Sequence, residues 1–127
     1  MIAGRYTLLE QPAAEVMREC ARRGTRVVIA SVFNSGLLAS PAGAGRYEYG
    51  DAPDSVRDKL QRILAVCRAH DVSLPAAAVQ FPFRHPATAA VVVASSRPEQ
   101  VRQNVAYART PIPEEFWTEL AEGGLTC

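Results

Sequence analysis

The sequence has little of what builds a metal centre or a disulfide scaffold. Its 127 residues include three cysteines, at positions 20, 67 and 127, and two histidines, His70 and His85. The cysteines are too far apart for the close pairs of a zinc site and too few for a disulfide framework. We therefore expect no metal site, with Cys20 and Cys67 as buried thiols on helix faces and Cys127 as a free terminal thiol.

An excess of charge of one sign and long apolar runs are also missing. Fourteen Lys and Arg residues nearly balance thirteen Asp and Glu residues, so no surplus of cations exists to neutralise the phosphates of a nucleic acid. No run of 18 apolar residues occurs, and the start of the chain lacks the charged leader and apolar core of a signal peptide. We expect no nucleic-acid partner, no membrane partner and a cytoplasmic location.

What is present is the composition of an ordinary globular protein. Hydrophobic residues make up 48% of the chain and charged residues 21%, which is typical of a domain that buries a core. A length of 127 residues corresponds to one compact domain or to part of one.

The hydrophobic pattern predicts an α/β fold made of successive strand–helix units. Runs of β-branched and small apolar residues predict buried parallel strands, and apolar residues at helical spacing predict helices between them. Such alternation implies parallel strands joined by crossover helices. In chain order we predict a strand at 6–9, a helix after Pro12, a strand at 26–30, a helix at 54–70, a helical or irregular piece at 74–83, a strand at 89–94, a helix from Pro98 and a last helix from Pro113.

The same spacing predicts which helix positions face the core. The inward positions are Ala13, Val16, Met17 and Cys20 in the first helix, Val101, Val105 and Ala108 in the helix from Pro98, and Phe116, Trp117 and Leu120 in the last.

Residues 31–53 form a long connection rich in Gly, Ser, Ala and Tyr. A connection of this length inside a compact domain is typical of a functional or disordered segment. It follows a predicted strand directly, and the carboxyl ends of strands are where α/β folds place their ligands.

Four segments of the chain are distinctive: RYTLLEQ at 5–11, ASVFNSGLL at 30–38, YEYGDAP at 47–53 and VVVASSRPEQVRQN at 91–104. In this order they resemble the sixth-strand region, the seventh strand with its loop, the substrate-side loop and the eighth strand with its helix in aldo/keto reductases. The third segment is similar to the branch that contains sugar and pyridoxal dehydrogenases. The resemblance implies that residues 1–127 are a partial aldo/keto reductase domain, the C-terminal βα units (strands 6–8 and terminal helices) of an incomplete TIM (β/α)8 barrel.

The resemblance also implies a nicotinamide cofactor, NAD or NADP, held in part by the last segment. Ser95, Ser96 and Arg97 stand at a strand-to-helix turn, where free backbone N–H groups and the positive helix end face an anion. Gln103 and Asn104 would present their amides to the adenine ring. Without the resemblance, the same turn is most simply a helix cap.

The choice between NAD and NADP depends on one position in this segment. Relatives that favour the 2′-phosphorylated cofactor carry a cation where Gln100 stands here. Arg97 or Arg102 can compensate for it, so the sequence leans only slightly toward NAD.

In the second segment, the resemblance assigns Ser31, Phe33, Asn34, Ser35 and Gly36 to the pyrophosphate. Gly36 would let the backbone approach closely, and the small polar side chains would donate to phosphate oxygens. On its own this stretch has the composition of a plain turn.

Tyr47 and Tyr49 are the candidate substrate-binding residues, at the mouth of the site. The alternative is that they pack the Gly-rich loop onto the barrel.

The functional expectation follows from what the resemblance places outside this chain. The catalytic Asp, Tyr, Lys and His of the family lie in the first half of the barrel, and Lys59, the one lysine here, is in a predicted outer helix. We therefore expect no catalytic residue in this chain and no carbonyl reduction by the chain alone.

Two classes of function stay open. The first is the C-terminal part of an NAD(P)-dependent oxidoreductase acting on sugars or small carbonyl or alcohol substrates. The second is a non-catalytic remnant that acts as a nucleotide-binding or protein-interaction module. Three strands cannot close a barrel, so their edges favour either an N-terminal half-barrel partner or self-association. A small doubly wound α/β binding module would explain the alternation but not the four ordered segments.

Overall fold

The computed structural model describes residues 1–48 and 50–127 and consists of a parallel sheet with helices packed against it. Its elements are β1 (Ile2–Ala3), α1 (Ala14–Arg22), β2 (Val27–Ala30), α2 (Asp54–Ala69), α3 (Leu74–Gln80), a 3-10 helix (Phe81–Arg84), β3 (Thr88–Val92), α4 (Pro98–Arg109) and α5 (Glu114–Glu122). The predicted α/β alternation is confirmed. None of the helices in these residues has the length and apolar character needed to cross a membrane.

β2 is the middle strand of the sheet, whose order is β1-β2-β3. Both of its neighbours run parallel to it, with Ile29 opposite Ile2 on one side and Val91 on the other. Parallel neighbours require a crossover connection. Here α1 connects β1 to β2, and α2 and α3 lie between β2 and β3.

The first predicted strand is wrong in position, because the observed strand is Ile2–Ala3 and residues 6–9 are irregular. The backbone N–H of Thr7 donates to the carbonyl of Glu10, and the N–H of Glu10 donates to Oγ1 of Thr7 at 3.0 Å. This local turn takes the hydrogen bonds that a strand would need. The segment is nevertheless buried, with Leu8 and Leu9 in the core, which is why its pattern imitated a buried strand.

Several positions predicted to face inward are exposed. Val16 is 54% exposed on α1, and Val101 and Val105 are 52% and 45% exposed on α4. Ala108 is exposed as well. α4 packs against α3, and the described residues supply no further element that covers these positions.

The last strand shows the same effect. Residues 89–94 were predicted as a buried strand, but only Thr88 of β3 is buried and Ala89, Ala90 and Val92 are exposed. A strand with one neighbour has one side open to solvent. Cys20 is likewise half-buried rather than buried, whereas Cys67 is buried as predicted.

The core lies between the helical layer and the middle of the sheet. Its largest fully buried side chains include Phe116, Leu8, Leu9, Met17, Ile29, Leu38 and Ile63. The predicted inward face of α5 is confirmed, because Phe116, Trp117 and Leu120 are all buried. The helix packs on α2, and Nε2 of His70, the residue directly after α2, lies 2.5 Å from the Glu119 carboxylate.

The long connection between β2 and α2 is held in place by backbone contacts. Gly36 forms a parallel bridge with Arg46, and Leu37, Leu38 and Tyr47 are buried. A Cβ added at Gly45 would lie 2.5 Å from the Gly36 carbonyl oxygen. The two backbones therefore meet at a distance that a side chain at position 45 would prevent.

The close approach at Gly45 predicts a cost for any side chain there. Gly45→Ala should lower the free energy of unfolding by about 1–3 kcal/mol, because backbone must shift to relieve the overlap. Urea unfolding measures it. Gly50→Ala is the control, since the nearest atom to its added Cβ is 3.9 Å away and its φ is not positive. Equal effects of the two variants would contradict this interpretation of the loop.

The different burial of Cys67 and Cys127 predicts the order in which their thiols react with a labelling reagent. Burial raises the pKa of the Cys67 thiol to about 11, whereas Cys127 is exposed. Because the thiolate is the reactive form, iodoacetamide at pH 8 should modify Cys127 rapidly in the folded chain and Cys67 only after unfolding in urea. Peptide mass spectrometry gives the rates. Equal rates for the two thiols in the folded chain would disprove the burial.

Candidate functional site

The loop after β2 and the segment after β3 meet at one edge of the sheet. The carboxyl ends of neighbouring parallel strands lie side by side, which is why segments distant in sequence can share a site there. A cavity of about 180 Å³ opens between the two segments. Five of the predicted cofactor-binding residues line it, namely Phe33, Ser95, Gln100, Gln103 and Asn104, together with Ala39, Ala94 and Tyr107, which the sequence patterns did not indicate.

The wall of this cavity on the β3 side is ordered by hydrogen bonds within the turn into α4. Nδ2 of Asn104 donates to Oγ of Ser95 at 3.0 Å. Oε1 of Gln100 accepts from the backbone N–H of Ser96 at 3.0 Å. The carbonyl side of Gln100 is thereby engaged, so the hydrogen-bonding capacity it offers elsewhere is that of its NH₂ donors.

A second, more open hollow of about 460 Å³ adjoins the first at Ser95. Ser96 and Arg97 line it at the start of α4, and Arg102 lines it one turn further on. Arg97 itself has extended backbone and Pro98 occupies the first helical position. Two guanidinium groups and the positive end of a 12-residue helix thus border one hollow.

Α different part of the site is the loop after β2, which carries unusual backbone geometry. Ser31, Asn34 and Ser35 all have positive φ, at 58°, 47° and 58°. Left-handed backbone at non-glycine residues is costly and gathers at functional sites. The side chains of Ser31 and Ser35 are exposed and do not belong to the 180 Å³ cavity.

Gly36 has a φ of 100°, which only glycine adopts readily. The group that approaches its backbone closely is the backbone at Gly45. Contacts of Ser31, Ser35 and Gly36 with a pyrophosphate therefore stay predictions.

A carboxylate that the sequence patterns did not indicate connects two parts of the site. Glu10 accepts a hydrogen bond from the Tyr47 hydroxyl at 2.5 Å and one from Nδ2 of Asn34 at 3.0 Å. Asn34 is buried, and among the described residues its Oδ1 has no donor. Glu10 directly follows the predicted strand at 6–9 and closes the turn that takes its place, so no signal of spacing marked it.

The two candidate substrate tyrosines have different outcomes. Tyr47 is buried, and its hydroxyl donates a hydrogen bond to Glu10. This arrangement packs the loop against the rest of the chain. A substrate contact by Tyr47 stays a prediction. The hydrogen bond to Glu10, then burial, raises the pKa of Tyr47 to about 12. Tyr49 lies outside the described residues.

The Glu10–Tyr47 contact predicts a stability loss that depends on pH. Tyr47→Phe should lower the free energy of unfolding by about 1–2 kcal/mol at pH 7, because it removes a hydrogen bond to a charged group. The folded-state pKa is raised, so the contribution of Tyr47 is complete below its unfolded pKa near 10 and is lost as pH rises toward 12. Urea unfolding at pH 7, 9 and 11 checks both statements.

Tyr6→Phe is the matched control, since Tyr6 is also buried and its hydroxyl has only a weak 3.9 Å contact with the Cys127 thiol. A loss at pH 7 as large for Tyr6→Phe as for Tyr47→Phe would contradict the special role of the carboxylate. So would a Tyr47→Phe effect that is unchanged at pH 11.

Metal ligation has no candidate in the part of the chain that the structure describes. No three His, Cys, Asp or Glu side chains come together there in a way that could hold an ion. The donors at the sheet edge are hydroxyls, amides and guanidinium groups, which are suited to an organic, anionic ligand.

Comparison with known proteins places this geometry in a family. Residues 1–123 match the model of the aldo/keto reductase family. The chain is 59% identical to D-threo-aldose 1-dehydrogenase of a Pseudomonas species over 128 residues, which cover 98% of this chain and 39% of that protein. It is 43% identical to pyridoxal 4-dehydrogenase of Microbacterium luteolum, with 98% and 37% coverage.

Among solved structures, the chain is similar to the holo form of an aldo-keto reductase from Bacillus halodurans. The TM-score is 0.72 at 25% identity, over 99% of this chain and 42% of that one. The chain thus spans about two-fifths of the relatives it matches, in their C-terminal portion. The predicted fold is confirmed, because the three parallel strands and their helices are part of a TIM barrel that they do not close. This chain belongs to the aldo/keto reductase family.

Proposed function

We propose that this chain forms the cofactor-binding side of an NAD(P)-dependent oxidoreductase that acts on sugars or small carbonyl or alcohol substrates. The observation that carries the proposal is the cavity at the carboxyl edge of the sheet. Residues from two segments about 60 positions apart, among them Phe33 and Asn104, line it together. The names of the two curated relatives, an aldose dehydrogenase and a pyridoxal dehydrogenase, support this substrate class.

The residues at this edge fit a dinucleotide in the chemistry of their donors. Ser95, Gln103 and Asn104 offer hydroxyl and amide groups that suit an adenosine moiety. Arg97, Arg102 and the start of α4 offer positive charge that suits a phosphate. When bound, the nicotinamide would supply hydride transfer, while this chain's residues hold and orient the nucleotide.

Either form of the cofactor fits this arrangement. Gln100 is neutral and its carbonyl is engaged by Ser96, which gives no charge to bind a 2′-phosphate. Arg97 and Arg102 border the adjoining hollow and provide that charge instead. The slight preference for NAD therefore stays a prediction.

Catalysis by this chain alone is not part of the proposal. A proton-donating tyrosine works best with a pKa lowered toward the working pH, whereas Glu10 raises the pKa of Tyr47 to about 12. Lys59 lies in α2 and is half-buried, as expected of a helix residue on the outer layer. We therefore propose neither as a replacement for the tyrosine and lysine that the family uses.

The second candidate is a non-catalytic nucleotide-binding or protein-interaction module. The exposed apolar face of α4 favours it. The two candidates share the nucleotide cavity and differ in whether a complementary half-barrel completes an active site. The cytoplasmic location stays a prediction in both.

The proposal predicts weak but site-specific nucleotide binding and no turnover. NMR titration of the chain with NAD or NADP should give a dissociation constant of roughly millimolar or weaker. Binding immobilises the whole nucleotide, but this chain contacts only part of it, so fewer contacts offset the loss of entropy. An aldose with either cofactor should show no change in absorbance at the nicotinamide band above buffer.

The variants for this test are a matched pair of glutamines. Gln103→Ala should weaken binding about threefold or more, and Gln61→Ala, an exposed glutamine on α2, should leave it unchanged. Micromolar affinity, measurable turnover by the chain alone, or equal effects of the two variants would count against the proposal.

A further inference from the structure

The Glu10 carboxylate joins the buried turn at 6–10 to the long loop after β2. We propose that Glu10 is a positioning residue: its carboxylate sets the conformation of this loop and thereby the nucleotide affinity of the site. The inference rests on the proposed function in its second part, that the loop contacts a nucleotide. It gives a role to a residue that the sequence patterns did not indicate.

The turn that carries Glu10 is held firmly. The backbone N–H of Glu10 donates to Oγ1 of Thr7 at 3.0 Å, and its carbonyl accepts from the backbone N–H of Thr7 at 2.7 Å. Nε2 of Gln11 donates to the carbonyls of Thr7 and Leu8 at 2.6 and 3.0 Å. Thr7 and Leu8 are fully buried. Close packing and these hydrogen bonds therefore leave the backbone at Glu10 little freedom, and its carboxylate is presented at a fixed place.

Each oxygen of the Glu10 carboxylate holds a different part of the loop. Oε2 accepts from Nδ2 of Asn34 at 3.0 Å, and Oε1 accepts from the Tyr47 hydroxyl at 2.5 Å. Asn34 stands near the beginning of the connection and Tyr47 near its end, and both are buried. The carboxylate thus ties the two ends of the loop together, while the bridge between Gly36 and Arg46 joins them along the backbone.

Asn34 is the residue through which the carboxylate acts on the backbone. It has a φ of 47°, and Ser31 and Ser35 are left-handed as well. Such conformations persist where the surrounding contacts fix them. Among the described residues, the Glu10 carboxylate is the partner of the Asn34 amide, whose Oδ1 has no donor. Loss of Glu10 would leave a buried amide without that partner, which favours a rearranged loop.

The backbone at Asn34 determines where two lining residues of the nucleotide cavity lie. Phe33 directly precedes Asn34, and Ala39 follows a few residues later. The carbonyl of Phe33 accepts from the backbone N–H groups of Gly36 and Leu38, both at 3.0 Å. These bonds span the left-handed residues and depend on them. A change of backbone at Asn34 would therefore move Phe33 and Ala39 relative to the opposite wall of the cavity.

A loop that already has its binding conformation loses less entropy when the nucleotide binds. Glu10 would provide this advantage through Asn34 rather than through the nucleotide itself. We expect Glu10→Ala to raise the dissociation constant for NAD about fivefold or more, because a charge-assisted hydrogen bond that orders the loop is lost.

NMR spectra of the folded chain without nucleotide provide the first measurement. The three-bond coupling between amide and α protons reports φ at Ser31, Asn34 and Ser35. The side-chain amide protons of Asn34 report its hydrogen bond to the carboxylate. Glu10→Ala should change the couplings at all three residues and shift these amide protons. Titration with NAD then measures the affinity of the same samples.

Glu48→Gln is the matched control. Glu48 pairs with Arg5 at 3.8 Å and so joins the same two parts of the chain, but both side chains are exposed. Exposed ion pairs contribute little, so this variant should leave the couplings and the NAD affinity unchanged. Circular dichroism and urea unfolding establish that each variant is folded.

An exchange of the acid and the amide tests the hydrogen bond itself. Asn34→Asp alone places a second carboxylate against Glu10, where like charges repel, and should disturb the loop as Glu10→Ala does. Adding Glu10→Gln to that variant restores a donor and an acceptor, because the new amide can donate to position 34 and accept from Tyr47. Asp also tolerates left-handed backbone. The double variant should therefore recover the wild-type couplings and bind NAD more tightly than Asn34→Asp.

Three results would overturn the proposal: couplings in Glu10→Ala that match the wild type, a Glu10→Ala chain that is less stable but binds NAD equally well, or a double variant no better than Asn34→Asp. The proposed function is judged separately, on the wild-type chain. If that chain binds neither NAD nor NADP while Glu10→Ala changes the couplings, the proposed function fails and Glu10 is still the residue that sets the loop.

Discussion

Backbone pairing of β2 with a parallel strand on each side is the constraint on which the rest of this structure depends. Parallel pairing brings the ends of the strands to one edge of the sheet and forces the intervening chain to cross through helices. The loop that begins at Ser31 and the turn that begins after Val92 therefore leave the sheet side by side. The cavity of about 180 Å³ lies between these two segments.

The same constraint explains why the site is ordered on one side and open on the other. Toward β1, buried contacts continue through the turn at 6–9 to Glu10, which holds Asn34 and Tyr47. On the outer side of β3, the described residues supply no further strand. Valines that the sequence pattern predicts to be buried are exposed there. Among the described residues β2 is the one strand that pairs with β3, so the outer edge of β3 is uncovered.

Predictions from the sequence were accurate where a local cause decides the structure. Pro98 begins α4, and Val27–Ala30 form a strand, because fixed φ and β-branching act within a few residues. They failed at residues 6–9, where the Thr7 side chain closes a turn inside an apolar run. They failed again at Val101 and Val105, where the apolar periodicity predicts buried positions but the described residues leave both side chains exposed. Glu10 could not have been found, since its role exists only after residues 10, 34 and 47 meet.

By itself the sequence determined the α/β alternation and the family segments, and it indicated candidate donors for a nucleotide, because these depend on composition, periodicity and short motifs. Only the tertiary structure decided which of them share a cavity. It brought Phe33 and Asn104 to the same cavity and left Ser31 and Ser35 outside that cavity. It also placed the Tyr47 hydroxyl where it donates a hydrogen bond to Glu10. The physical reason is that strand register and loop packing set distances between residues far apart in the chain, and no local pattern encodes those distances.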